Sequence, residues 1–517
     1  VQTKHHSSSA ELPNPNREHE AGTWNPEAGR RAALLAAGAF AFVILATANA
    51  AGYRYGASDQ AFYIPAFVHA IEPSSFPRDR ALIDAQARLM VLDEVVGTVV
   101  RATGLPLQAL CAVGYVGSLL LIWGALLRIG RSLYVSGWTV VALAAACTLR
   151  HQIARTSTNT FEPYFHPRVL AFALGALAVA ALLRRNAVAA IVCVGFAALV
   201  HITTAAWFGI LVGVALAVAH RGFRPFIIGS GVLAGLAAAW AVTVGPLAGA
   251  LVRLDLEWRA LLQTKDTLFA HEWPIGAWVV NMGTAAVWAW AYSERRRRGA
   301  ATDIDTGLLA GGAALLALFF ITLPMSAAGV WLFVELQISR VFWLLDFMAI
   351  VYALSAVESR WAIPRVMQAV CGTLLLFSVV RGTYILLVEH PERPLFAFDV
   401  PASPWKDAMD WLARTPLETH VLADPGHAWK YGTSVRVSAG RDVFHEEVKD
   451  TAVAIYSRAV AERVITRMRV LGPFDQLTAD AARRLAAEYD LDYLVAGHSL
   501  DLPVAYRNAR FTIYRLE

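Results

Sequence analysis

The chain is short of charge and of cysteine. Lys, Arg, Asp and Glu make up only 16% of its 517 residues while 57% are hydrophobic, and the mean hydropathy is +0.47. That balance excludes an ordinary soluble domain and puts the chain among polytopic membrane proteins. Its four cysteines, Cys111, Cys147, Cys193 and Cys371, lie in apolar runs without CxxC or Cys/His spacing; they read as small buried side chains rather than as a zinc or redox pair. No GxGxxG after a strand, P-loop, HExxH or serine nucleophile elbow occurs, so the common soluble cofactor chemistries have no motif. Repeats are absent, and the one biased segment, residues 1–30, is polar and reads as a disordered cytoplasmic tail. The formal charge of +5 does not point to nucleic acid as a partner, because the basic residues sit in short clusters between apolar runs.

What the chain does have is apolar runs of spanning length. Cores at 32–51, 107–127, 132–148, 167–183, 187–200, 203–219, 225–248, 274–292, 306–323, 338–357 and 365–388 predict about eleven transmembrane helices. The first run ends in ATANAA, similar to a signal-peptidase site, but its length favours an uncleaved anchor. Arg30/Arg31, Arg128/Arg131, Arg184/Arg185, Arg221/Arg224, Arg295 to Arg298 and Arg360/Arg365 fall on alternate loops. Basic loops stay inside, so this pattern predicts a cytoplasmic N-terminus and sends 52–106, 149–166, 249–273, 324–337 and the region after about 389 outward.

The composition shifts after residue 388. Residues 389–517 read as a small extracytoplasmic α/β domain following the membrane domain 31–388. Ser403-Pro404 opens a helix running to about Thr415; β-like runs follow at 420–424 and 434–438, then helical patterns near 450–470 and 478–489. A last strand and a hairpin turning at Asn508 close the chain.

The candidate functional residues lie in the outward loops. Asp59 precedes a partly amphipathic stretch, Phe62, Ile64, Phe67, Val68 and Ile71, suited to lie along the membrane surface. Asp59 is then either the cap of that helix or a working carboxylate at the mouth of a cavity. The second loop packs Arg150, His151, Arg155, Glu162, His166 and Arg168 together. Arg168 suits a lipid phosphate, an ion pair with Glu162, or an interfacial anchor. His201, at the break between two spans, either faces the same cavity or is structural. Glu335 and Arg340 bracket the next loop, where Arg340 can hold a phosphate or pair with Glu335 or Asp346. Residues 253–266 read as a second interfacial helix with a solvated charged face. His445, Glu446 and Glu447 are only loosely spaced as metal ligands.

Taken together, the multi-span body, Asp59 within SDQAFYIP, YFHPR at 164–168, LVHITTAAWF at 199–208, LQISRVFWL at 336–344 and the C-terminal α/β domain resemble the GT-C superfamily of membrane glycosyltransferases that use polyprenyl-phosphate sugars, in its bacterial members. The resemblance implies a multi-pass inner-membrane enzyme that moves a sugar, with inversion, from a polyprenyl-phosphate donor to an acceptor on the outer face. Asp59 would be the general base, and Arg340, with Arg168 as second candidate, would neutralise the phosphate; Glu162, His166, His201 and Glu335 would complete the binding region. Membrane lipids are the other implied partners, and a divalent cation is a candidate cofactor although no metal ligand is assigned. Gln60 stands where the superfamily often carries a second acid, and WKYG at 429–432 lacks the Asp of the WWDYG motif of oligosaccharyltransferases. The alternative is a non-catalytic subunit of the same fold that acts as a scaffold in a larger membrane complex.

Overall fold

The structure, a computed structural model, describes residues 26–87, 90–265, 267–361 and 363–516. Most of the tail expected over 1–30 lies outside the described residues; residues 26–30 are already helical. The chain forms two compact units, 1–41 and 42–517. The C-terminal sheet and the candidate site belong to the second.

The protein is mainly helical, and among the described residues seven helices are long and apolar enough to cross a membrane. Each of the eleven expected cores overlaps a helix, although 132–148 is broken between Leu133 and Gly137 and 225–248 outruns its helix, which ends at Thr243. Gly137–Thr148, Pro167–Leu183 and Ala187–Val200 are apolar but shorter than the other spans, and Ile275–Arg297 ends in the charged run Glu294 to Arg297. Membrane helices gain little from burying one apolar face against another, so close backbone approach holds them together. The pair Ile202–Ala219 and Asp303–Ala327 shows how. A Cβ on Gly307 would stand 2.6 Å from the Ala215 carbonyl oxygen, and one on Gly311 2.6 Å from that of Leu211.

The C-terminal region carries a five-stranded mixed sheet in the order Asp442–Val443, His420–Ala423, Tyr493–Ala496, Thr512–Arg515, Val504–Arg507. The first three strands are parallel and the last two antiparallel. Alternate residues feed two cores, as the two-residue period of a strand requires. Val421, Ala423, Val495 and Ile513 pack with Trp405 and Met409 of the helix Pro404–Leu412. Leu422, Leu494 and Tyr514 pack with Leu471 and Leu485. Ser403 caps its helix by accepting from the Lys406 amide, as expected, but the helix ends at Leu412.

Three expectations are corrected. The run 434–438 is no strand: Val435–Ser438 is one helical turn, capped by Ser434 accepting from the Arg436 amide. The helix Gln60–Ile71 does not lie on a membrane surface with its apolar face, because Ile64 and Phe67 are each 1% exposed and packed in the main core. The stretch 253–266, of which Asp266 lies outside the described residues, is not a free surface helix either. Its helix Leu256–Gln263 buries Trp258, Leu261 and Leu262 in a core shared with Val453, Ile455 and Val464 of the C-terminal region. The indoles of Trp258 and Trp331 donate to the Ala454 and Ile455 carbonyls at 2.9 and 2.8 Å; the charged face stays solvated as expected, with Asp255 and Glu257 exposed while pairing with Arg458 and Arg469.

A fully buried charge cluster makes the second seam. Arg436 donates to Asp79 of the 52–106 loop at 2.6 Å and to Asp450 at 2.6 Å, and Arg463 also pairs with Asp79. The Arg78 and Asp79 amides donate to Asp442 at 3.0 Å. Buried charges persist only when paired this fully, so the 52–106 loop and the C-terminal sheet are fixed to each other.

Candidate functional site

Beside these seams opens a cavity of about 270 Å³ whose charged and polar lining includes Asp59, Glu162, Lys265, Arg340, Lys449 and Tyr456. Five stretches remote in sequence converge on it: the 52–106 loop, the loop ending at His166, the segment after Leu256–Gln263, the turn before Val341–Arg360, and the helix Glu447–Val453.

Asp59 precedes the helix Gln60–Ile71 in helical backbone conformation, and its side chain makes no capping bond. It turns to the cavity instead, with the Lys449 ammonium 2.7 Å from Oδ1 and His166 Nε2 3.3 Å from Oδ2. His166 Nδ1 accepts from the Arg168 amide at 3.0 Å, so a neutral ring carries its proton on Nε2 and donates to Asp59. Burial and the neighbouring Arg168 lower the His166 pKa, against the pull of Asp59, and keep the ring neutral. Burial alone would raise Asp59. Lys449, the His166 hydrogen bond and the Arg168 charge outweigh it and hold the carboxylate well below its usual range.

Glu162 is engaged by Arg168 at 3.1 Å, Arg150 at 3.5 Å and the Asn159 amide at 3.1 Å. The Glu162–Arg168 pair left open by the sequence is therefore formed, and the Arg168 guanidinium also lies over the Trp343 ring at 5.9 Å. Arg340 is different. Its Nε finds no hydrogen-bond partner among the described residues, and Asp346 is taken by His151 at 2.9 Å. Arg340 ends a 3-10 turn entered through Gln337 in left-handed backbone (φ 46°). Ser58 and Ser157, also on the lining, are left-handed too (φ 52° and 53°). Non-glycine residues held this way mark sites whose geometry the surroundings impose.

Of the sequence candidates, Asp59, Glu162 and Arg340 line the cavity, while His166 and Arg168 stand behind the two carboxylates. Glu335 is buried on the helix Trp331–Glu335. His201 caps Ile202–Ala219, accepting from the Thr204 amide at 3.3 Å. Neither is on the lining. Sequence reasoning missed Lys449, Lys265 and Tyr456. Lys449 sat in the polar cluster 440–450, and Lys265 looked like part of a solvated face; its ammonium donates to the Val448 carbonyl at 3.1 Å.

No family model and no curated protein matches this chain. Among solved structures it is similar to the oligosaccharyltransferase of Archaeoglobus fulgidus in its apo form, with a TM-score of 0.47 and 13% identity over 90% of this chain and 69% of that one. The same enzyme tethered by a disulfide bond to an acceptor peptide containing the NVT sequon gives 0.45 and 14% over the same shares. Neither likeness assigns a role to any residue here.

The site does not fit a divalent cation. A lysine ammonium occupies the open side of Asp59, Glu162 is already engaged by two arginines, and no group of three His, Cys, Asp or Glu suited to a metal occurs among the described residues. Gln60 does not substitute for a second acid. It is buried, accepts from the Gly56 amide at 2.7 Å and donates to the Phe165 carbonyl at 3.2 Å, which fixes the turn that presents Ser58 and Asp59.

Proposed function

We propose that the protein is a GT-C-type membrane glycosyltransferase that moves a sugar from a polyprenyl-phosphate carrier to an acceptor hydroxyl on the outer face of a bacterial inner membrane. One observation carries this reading: a carboxylate held ionised and an arginine with an unsatisfied Nε share one cavity beside apolar helices. In that reaction the acceptor oxygen bonds to the anomeric carbon as the carbon–oxygen bond to phosphate breaks. The leaving phosphate gains charge, and Arg340, aided by Lys265, is suited to neutralise it. The acceptor proton passes to Asp59. A carboxylate with so low a pKa is a weak base, so its first task is to accept a hydrogen bond from the hydroxyl and orient it, with proton transfer late, once the attacking oxygen has become acidic.

The test is the glycan product of cells producing wild-type protein, D59N, or none, read by mass spectrometry. D59N should lose the product while the protein remains in the membrane at wild-type level; a full product would remove Asp59 from the chemistry.

A second reading has its own observation. Lys449 already neutralises Asp59, as would suit a subunit that keeps the fold and serves as a scaffold in a larger membrane complex. That reading expects stable co-purification with other membrane proteins and indifference of the glycan product to D59N.

A further inference from the structure

A second cavity of about 390 Å³ opens next to the first, and the two share Ser58, Val448 and Lys449 on their linings. Lys449 therefore stands in the partition between them while holding Asp59 on one side. The second lining includes Arg54, Arg393 and Trp429, and none of its residues is acidic.

Two guanidinium groups in one cavity repel each other unless an anion joins them. Arg54 is half-buried, its Nε has no hydrogen-bond partner among the described residues, and burial together with the Arg393 charge brings its pKa down to about 10. Arg393 pairs with Glu392 at 3.1 Å, but that carboxylate is 64% exposed and such a pair is weak in water. Trp429 is 85% exposed. Tryptophan is rarely left so open, and its flat apolar face beside a charged cavity suits the C–H face of a sugar ring. The backbone between the two cavities is fixed: Gly56 takes φ +79°, and a Cβ there would stand 2.9 Å from Val437 Cγ1.

We infer that this second cavity receives the acceptor and that the acceptor is an acidic saccharide, its carboxylate or phosphate held by Arg54 and Arg393 and a ring stacked on Trp429. Its hydroxyl then reaches Asp59 past Ser58 and Lys449. The inference rests on the reading of Asp59 as the group that meets the acceptor, and it adds the substrate class.

The test is calorimetric binding to the full chain in detergent, with a galacturonic acid tetrasaccharide, neutral maltotetraose, inorganic phosphate and undecaprenyl phosphate as probes. The acidic tetrasaccharide should bind at least about tenfold more tightly than the neutral one, and R54Q and R393Q should each erase most of that margin. W429A, at an exposed position, should weaken the tetrasaccharide and leave phosphate unchanged. Equal binding of the two saccharides, or binding of the acidic one that ignores both arginine variants, overturns the inference. So does inorganic phosphate binding as tightly as the tetrasaccharide with W429A without effect, which makes the cavity a plain anion site. Undecaprenyl phosphate binding that ignores R340Q would instead sink the donor reading alone.

Discussion

Lys449 Nζ lies 2.7 Å from Asp59 Oδ1, bringing together residues 390 positions apart. The next residue, Asp450, turns the other way into the buried cluster around Arg436. One turn of helix thus ties the state of the candidate base to the seam between the 52–106 loop and the C-terminal sheet.

Removing Lys449 should raise the Asp59 pKa, because burial then works against the charge with less opposition. The sign follows. Asp59 must be ionised to accept the acceptor hydrogen bond, so K449M should move the acid limb of the pH–rate profile upward and cost activity mainly at acidic pH. A profile with an unshifted acid limb would separate Lys449 from the chemistry.

Arg436 faces Asp79, Asp450 and Glu446, all at most 1% exposed. R436M takes the guanidinium from Asp450 and Glu446 and leaves Asp79 with Arg463 alone, and should destabilise the fold by about 3–5 kcal/mol. Thermal melting in detergent checks the loss, and limited proteolysis should show earlier cleavage between the C-terminal sheet and the spans. An unchanged melt would mean that the seam rests on the tryptophan contacts alone.

Burial pushes the Glu446 carboxyl up to about 7, against the opposing pull of Arg436. Its folded pKa exceeds the unfolded one, so its contribution to stability is complete below the ordinary carboxylate range and lost as pH rises through about 7. His420 and His427, both brought down to about 4 by burial, act in the opposite sense. Their contribution is present above the ordinary histidine range and lost as pH falls through about 4. E446Q should therefore fall less in melting temperature between pH 5 and pH 8 than the wild type does; an identical fall would clear Glu446 of the effect.

Gly311 faces the Leu211 backbone with no room for a Cβ, the nearest atom lying 2.6 Å away. G311V must push two spans apart and should cost about 1–3 kcal/mol or more. A wild-type melting temperature would show that the pair Ile202–Ala219 and Asp303–Ala327 has slack.

The helices were legible because an apolar run is a local signal, and each expected core overlaps a helix. Asp59 and Arg340 stand out in sequence as charges beside hydrocarbon and both line the cavity, whereas Arg168, singled out for the same reason, is paired with Glu162 behind it. Lys449 was not, since nothing local distinguishes it from a solvated lysine, and its partner comes from the far end of the chain. SVRVS alternates like a strand, yet its Arg436 is 1% exposed and bound to Asp79 and Asp450, and that tertiary pairing together with the Ser434 cap winds the segment into a helical turn. The apolar stripe of Gln60–Ile71 was read correctly as a stripe and wrongly as lipid-facing. Sequence shows that a face is apolar and not what covers it.

The most direct test is a cryo-electron microscopy structure of the protein with undecaprenyl phosphate bound, read for the position of the head group. The phosphate is expected within hydrogen-bond distance of the Arg340 guanidinium, in the cavity that Asp59 and Lys449 line. A head group bound elsewhere, beyond side-chain reach of both Arg340 and Asp59, would contradict it.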